Sequence, residues 1–141
     1  MKKQTQAIHT QFQRRDAYNS ISMPVYHTAA YEFDNADDMA DAFCGRTDAP
    51  DYSRVMNPTV TFFENKVKEL TGAAEVIALN SGMAAISNTL FSIAAAGKNI
   101  VTSRHLFGNT YSFIAGTLSR FGVEPRLCDL TDIGAVEKAV D

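Results

Sequence analysis

The sequence predicts an α/β fold, with an incomplete, mostly parallel sheet preceded by an extended N-terminal arm. Three observations predict it. From Asp51 onward, helix-spaced apolar residues alternate with short apolar runs, the pattern of βαβ crossovers. Residues 1–50 are instead polar and dotted with aromatics, without sustained apolar periodicity. The expected strands number only about three, fewer than a parallel sheet covered on both faces normally has. The expected organisation is therefore an arm over 1–50, reaching another subunit, and the front part of a larger α/β domain over 51–141.

Within the arm, "SMPVYHTAAYEF" (22–33) reads as extended and "NADDMADAFCG" (35–45) as one short helix ending at Gly45. Phe12, Tyr18, Tyr26, Tyr31 and Phe33 need a surface to accept them, and a homo-oligomer is the expected host. Asn57 is a good N-cap and Pro58 suits the first helical position. Val60, Phe63, Val67 and Leu70 then recur at helical spacing, Glu64 stands four before Lys68, and Gly72 closes the helix. "EVIAL" (75–79) is expected as a buried strand. Ser81 caps a helix over 81–97 whose inward stripe is Met83, Ile86, Leu90 and Ile93. "NIVTS" (99–103) is a second strand, 104–110 a loop and 111–121 a helix with Tyr111, Ile114 and Leu118 aligned. "VEPRLC" (123–128) is a third strand, which Pro125 places at an edge. "TDIGAVEKAVD" opens a last helix.

Composition excludes several function classes. The net charge is −3 with a pI near 5.5, and basic residues form no stripe, so nucleic acid is not an expected partner. The opening "MKKQTQAIHTQFQRR" lacks the apolar core of a signal peptide, and no apolar run approaches the ~20 residues that span a bilayer. The expected location is cytoplasmic, with no membrane partner. Cys44 and Cys128 form no CxxC pattern and are expected reduced. His9, His27 and His105 show no metal-ligand spacing, and no metal is expected.

Three stretches could carry chemistry. At the strand–"NSG"–helix junction (80–82), a helix N-terminus offers unpaired amides and roughly half a positive charge to an anion. Gly82 allows close approach, and Met83 adds its N–H. The loops GxxxxGK[ST] and GxGxxG are missing, so a small phosphate attached to something else is the anion to expect. In "DYSRVMNPT" (51–59), Tyr52 and Arg54 would project together from an extended segment, offering a phenol and a forked cation to a phosphate. In "HLFGNTY", Phe107 in a loop before Gly108 could stack on a flat ring. Singly, each has an ordinary structural reading: helix capping, a surface Asp51–Arg54 ion pair, and a core aromatic.

In combination, "YSRVMNPT", "SGMAA" and the aromatic-Gly loop, in that order, resemble the Cys/Met-metabolism family of pyridoxal-phosphate enzymes. The family includes cystathionine γ-synthases and lyases, methionine γ-lyases and O-acyl-homoserine sulfhydrylases. The resemblance runs from about Gln6 to the last residue and takes in the "PVYHTAAYEF" arm. It implies the large domain of a fold-type I pyridoxal-phosphate enzyme, with sites shared across a dimer, usually within a tetramer. It further implies that the amides of Gly82 and Met83 hold the phosphate of pyridoxal 5′-phosphate within the subunit. Tyr52 and Arg54 would reach the phosphate of the neighbouring subunit, and Tyr52 is also a candidate catalytic residue beside the substrate. Phe107 matches the stacking residue that family members commonly carry as tyrosine, and a phenyl ring has no proton to exchange.

The resemblance implies a small amino-acid substrate and, most directly, O-acetylhomoserine sulfhydrylase-type γ-replacement, in which sulfide or a thiol displaces the acyl group. A methionine or cystathionine γ-lyase or synthase of the same family is the alternative. The family's cofactor-binding lysine, its pyridine-pairing aspartate and its carboxylate-binding arginine belong downstream, and Lys66, Lys68, Lys98 and Lys138 match no such motif. The chain alone is therefore expected to be inactive, which leaves a third reading: an incompetent fragment that only associates with intact subunits.

Overall fold

The computed structural model describes residues 2–9 and 16–140. Phe12 and the Arg14–Arg15 pair lie outside them. The chain divides into two compact units, Met1–Ala78 and Leu79–Asp141.

The first unit is helical. Helix α1 (Lys3–His9), in a stretch without apolar periodicity, packs along α3, where the Gln6 side-chain amide donates to the Glu69 carbonyl at 3.1 Å. Helix α2 (Ala36–Phe43) starts where expected, because Asn35 Oδ1 accepts the Asp38 N–H at 2.8 Å. Helix α3 (Pro58–Thr71) has its foreseen cap Asn57 and its foreseen stop, Gly72, at φ 74°, a left-handed conformation that glycine adopts without steric cost. Of its expected stripe, Val67 and Leu70 are half-buried, whereas Val60 and Phe63 are exposed. The expected Glu64–Lys68 pair is replaced. Lys68 Nζ meets Glu75 at 2.6 Å, and the Glu64 carboxylate accepts the Ala78 N–H at 2.7 Å.

That last bond bears on the strand expected at 75–79, which pairs with no other strand among the described residues. An apolar run becomes a strand only against a partner. Without one, the Ala78 amide is satisfied by a side chain, and Ile77 stands 80% exposed.

The second unit is the α/β part. Helix α4 (Gly82–Ile93) is followed by β1 (Asn99–Ser103) and α5 (Gly108–Ser112), which continues into a π-helical stretch, Phe113–Leu118. Strand β2 (Glu124–Cys128) and α6 (Ile133–Ala139) complete it. The strands β1 and β2 are parallel, with Ile100 opposite Pro125 and Thr102 opposite Leu127. Proline is tolerated because the Glu124 N–H faces β1, donating to the Lys98 carbonyl at 2.9 Å. Successive amides alternate sides, so the Pro125 nitrogen faces away from the ladder. Ile114, Leu118 and Val123 form the core, and Leu90, Ala94, Ile100, Leu106 and Phe113 pack on it.

Helix α4 stops at Ile93 rather than Gly97, and Ile93 is exposed, so its inward stripe is carried by Met83, Ile86 and Leu90. Helix α5 begins three residues before the expected Tyr111, since Phe107 serves as its N-cap without any side-chain hydrogen bond. A cap of that kind leaves no signature in the sequence. Cys44 is an exposed free thiol and Cys128 a buried one.

Candidate functional site

In the second unit, the chemistry gathers at the start of α4. Ser81 Oγ accepts the Ala84 N–H at 3.1 Å, and the helical ladder begins with the Ala85 N–H donating to the Ser81 carbonyl at 3.0 Å. The amides of Gly82 and Met83 are left out of that ladder, as the first amides of any helix are. The first turn contains no acidic residue, so the positive end of the helix dipole is not already neutralised. A Cβ built at Gly82 would meet no atom within 4 Å. Packing in this chain therefore does not require glycine there, and the open space suits a ligand that approaches the backbone closely. A phosphate fits this donor set: free amides, an adjacent hydroxyl and uncompensated positive potential.

Phe107 belongs to the same unit. Its ring is 75% exposed, so it is not the core aromatic its spacing allowed. Thr110 joins its helix to α4: this buried residue donates its hydroxyl to Met83 Sδ at 3.6 Å. The loop bearing Phe107 is thus tied to the helix start that bears Gly82 and Met83. The π-helical stretch begins three residues after Thr110, an irregularity often found near functional sites. Sequence reading missed both Thr110 and the π-helical stretch, for neither has a pattern of its own.

At the carboxyl edge of β1 and β2, Asp129 Oδ1 accepts the Thr131 hydroxyl at 2.7 Å and the Thr131 N–H at 2.9 Å. The Thr131 hydroxyl first, then the Thr131 amide, hold the Asp129 carboxyl below its ordinary range. The charges of His105 and Arg104 act in the same direction. This edge was also unforeseen.

In the first unit, Tyr52 and Arg54 are brought together, but not as the sequence suggested. The segment is not extended: Tyr52 makes an antiparallel bridge to Ala30, and the chain then turns, with the Val55 and Met56 amides both donating to the Tyr52 carbonyl at 2.8 and 2.9 Å. The turn swings the Arg54 guanidinium over the Tyr52 ring, 5.4 Å from its centre. Asp51 spends its carboxylate on the Tyr52 N–H at 2.6 Å, and no ion pair involves Arg54 among the described residues. A cation over an exposed ring is worth only ~0.5–1 kcal/mol. A charge-assisted hydrogen bond contributes ~1.5–3 kcal/mol, so an arriving anion outcompetes the ring for Arg54.

Among the described residues, no cluster of His, Cys, Asp and Glu is arranged to hold a metal, and no helix is long and apolar enough to cross a membrane.

Comparison with known proteins bears on the chain as a whole. A family model described as "Cys/Met metabolism PLP-dependent enzyme" matches residues 4–141. An L-methionine γ-lyase of Fusobacterium nucleatum subsp. polymorphum is 35% identical over 89% of this chain and 32% of its own length. An O-acetyl-L-homoserine sulfhydrylase of Corynebacterium glutamicum is 38% identical over 86% of this chain and 28% of its own length. Among solved structures, a Campylobacter jejuni protein described as an O-acetylhomoserine (thiol)-lyase superposes with a TM-score of 0.90 at 35% identity. That match covers all of this chain and 34% of that one, which carries an N′-pyridoxyl-lysine-5′-monophosphate. The chain spans about a third of the length of the curated relatives it matches.

Proposed function

Because the chain belongs to the Cys/Met metabolism PLP-dependent enzyme family, we propose that it forms the front portion of an O-acetylhomoserine sulfhydrylase-type enzyme, in which sulfide or a thiol replaces the acyl group. The observation that carries this reading is Phe107, an exposed ring at the start of α5, at the position the family resemblance matches to a stacking tyrosine. A phenyl ring keeps the stacking face and lacks a proton. An acyl group leaves as a carboxylate, a stable anion with an ordinary pKa of ~4, and needs no donor. A thiol leaving group, near ~8.5, gains from one. Phe107 therefore suits an acyl-homoserine better than a thioether.

Pyridoxal phosphate, when bound, supplies the electron sink for bond changes at the substrate amino acid. This chain's residues bind and orient. The Gly82 and Met83 amides hold the phosphate at the positive end of α4, and Phe107 covers a flat ring. Tyr52 and Arg54 serve the phosphate of a neighbouring subunit, and Tyr52 stands as the candidate for proton handling beside the substrate. In this arrangement residues 1–50 are an intersubunit arm, residues 51–141 begin the cofactor domain, and the assembly is a homodimer within a tetramer.

A methionine γ-lyase is the second reading, favoured by the 35% identity to the Fusobacterium enzyme over 89% of this chain. The full-length protein is given O-acetylhomoserine with sulfide, and separately methionine. The proposal expects homocysteine from the first. Keto-acid release from methionine, with no acyl-homoserine present, overturns it.

A further inference from the structure

We propose that Ser53 and Asn57 form a clamp that fastens the chain's own 24–31 segment to the Tyr52–Arg54 turn, and that this clamp positions Arg54 over Tyr52. Its bearing on phosphate rests on the function proposed above; the clamp itself does not.

The donors and acceptors around Ser53 and Asn57 form a closed network. The Ser53 hydroxyl donates its one proton to the Thr28 carbonyl. It must then accept from its other two partners, the Asn57 Nδ2–H at 3.0 Å and the Tyr31 hydroxyl at 3.1 Å. Asn57 spends both amide protons, one on Ser53 and one on the Tyr26 carbonyl at 3.0 Å, while its Oδ1 still caps α3 through the Thr59 N–H at 2.9 Å. Thr59 Oγ1 accepts the Tyr26 N–H at 2.9 Å and donates to the Pro24 carbonyl at 3.2 Å. The Ser53 N–H donates to the Ala29 carbonyl at 2.9 Å.

Every side-chain proton in this network has one acceptor, and the acceptors are largely backbone carbonyls of the arm. Ser53 and Asn57 are both only half-buried, so burial alone does not explain them. Of the residues flanking Ser53, Tyr52 is held by its bridge to Ala30 and by two turn amides, while the exposed Tyr52 and Arg54 side chains have only each other as partners among the described residues. That is a hydrogen-bonded base under a cation engaged in no ion pair among the described residues, an arrangement that lowers the ordering cost of capturing an anion. Asn57 thus holds two duties, and one substitution separates them. Asn57→Asp keeps the capping oxygen, at which Asp and Asn are equivalent, and removes both donated protons.

The experiment uses the full chain. Hydrogen exchange is followed at the Tyr26 and Ser53 amides and inside α3, and the upfield ring-current shift of the Arg54 side-chain protons is read by NMR. Asn57→Asp and Ser53→Ala should each speed Tyr26 and Ser53 exchange severalfold and shrink the ring-current shift, with α3 interior amides unchanged. Ser53→Thr, which keeps the hydroxyl, should restore the parental shift. Unchanged exchange at both amides, or an unchanged ring-current shift in Ser53→Ala, overturns the clamp. Inorganic phosphate titration judges the other reading separately: an Arg54→Ala variant that binds phosphate as well as the parent counts against Arg54 as an anion ligand, while exchange and ring current still decide the clamp.

Discussion

Replacing Gly82 with alanine separates what the fold needs from what a ligand needs. Gly82 is the first residue of α4, its φ is not positive, and an added Cβ would meet no atom within 4 Å. For the fold alone the substitution is therefore harmless, and reducing unfolded-state freedom stabilises a compatible site by ~0.4–1 kcal/mol. For a phosphate held at the Gly82 and Met83 amides, the methyl stands where the ligand approaches. Losing one charge-assisted bond costs ~1.5–3 kcal/mol, or about 10- to 150-fold in Kd. Urea unfolding of the chain reads the first effect, and pyridoxal phosphate titration of the full-length protein reads the second. The expected result is unchanged or higher stability with weaker cofactor binding. Unchanged affinity refutes the placement of the phosphate, and a stability loss above ~1 kcal/mol refutes the reasoning about open space.

Two further outcomes follow from packing and charge. Leu118, 1% exposed at the centre of the core, should cost ~2–5 kcal/mol as alanine in urea unfolding, whereas Ile133→Ala, at a side chain 74% exposed, should change stability by ~0.5 kcal/mol or less. Equal losses would mean the core lies elsewhere. Thr131→Val removes the hydroxyl that Asp129 accepts, so the Asp129 pKa, read by NMR titration, should rise toward its ordinary range. Because the folded value is depressed, the stabilisation is present above the ordinary carboxylate pKa and is lost as pH falls through the folded one. The parent should therefore lose more stability than Thr131→Val across that window. An Asp129 titration that does not move would remove the hydroxyl as the leading cause and leave the Thr131 amide with the charges of His105 and Arg104.

Signals local to a few residues were legible in the sequence. Asn57 and Ser81 each cap the helix they were expected to cap, because a short polar side chain before an apolar stripe is suited to that place. The strands expected at 99–103 and 123–128 were legible, the second to within one residue, because they find each other within the chain. The run at 75–79 is more apolar than either, yet pairs with no strand among the described residues, so apolar character alone did not decide it. At the site, Gly82, Met83 and Phe107 fall within one unit, with a contact through Thr110 that no motif announced. Tyr52 and Arg54 were rightly paired for the wrong reason. Alternation assumes an extended chain, and the turn that brings them together depends on arm carbonyls more than twenty residues away, at Thr28 and Ala29.

Whether two subunits share one phosphate is most directly measured by mixing two defective versions of the full-length protein. One carries Arg54→Ala. The other carries Gly82→Asp, whose carboxylate suits a helix N-terminus but repels a phosphate. If the pair at 52 and 54 serves the neighbouring subunit, each mixed dimer concentrates both lesions in one site and leaves the other intact, so cofactor occupancy returns to about half the parental level per dimer. If the mixture binds no more pyridoxal phosphate than the two variants do separately, each subunit builds its site alone and the shared grip is wrong.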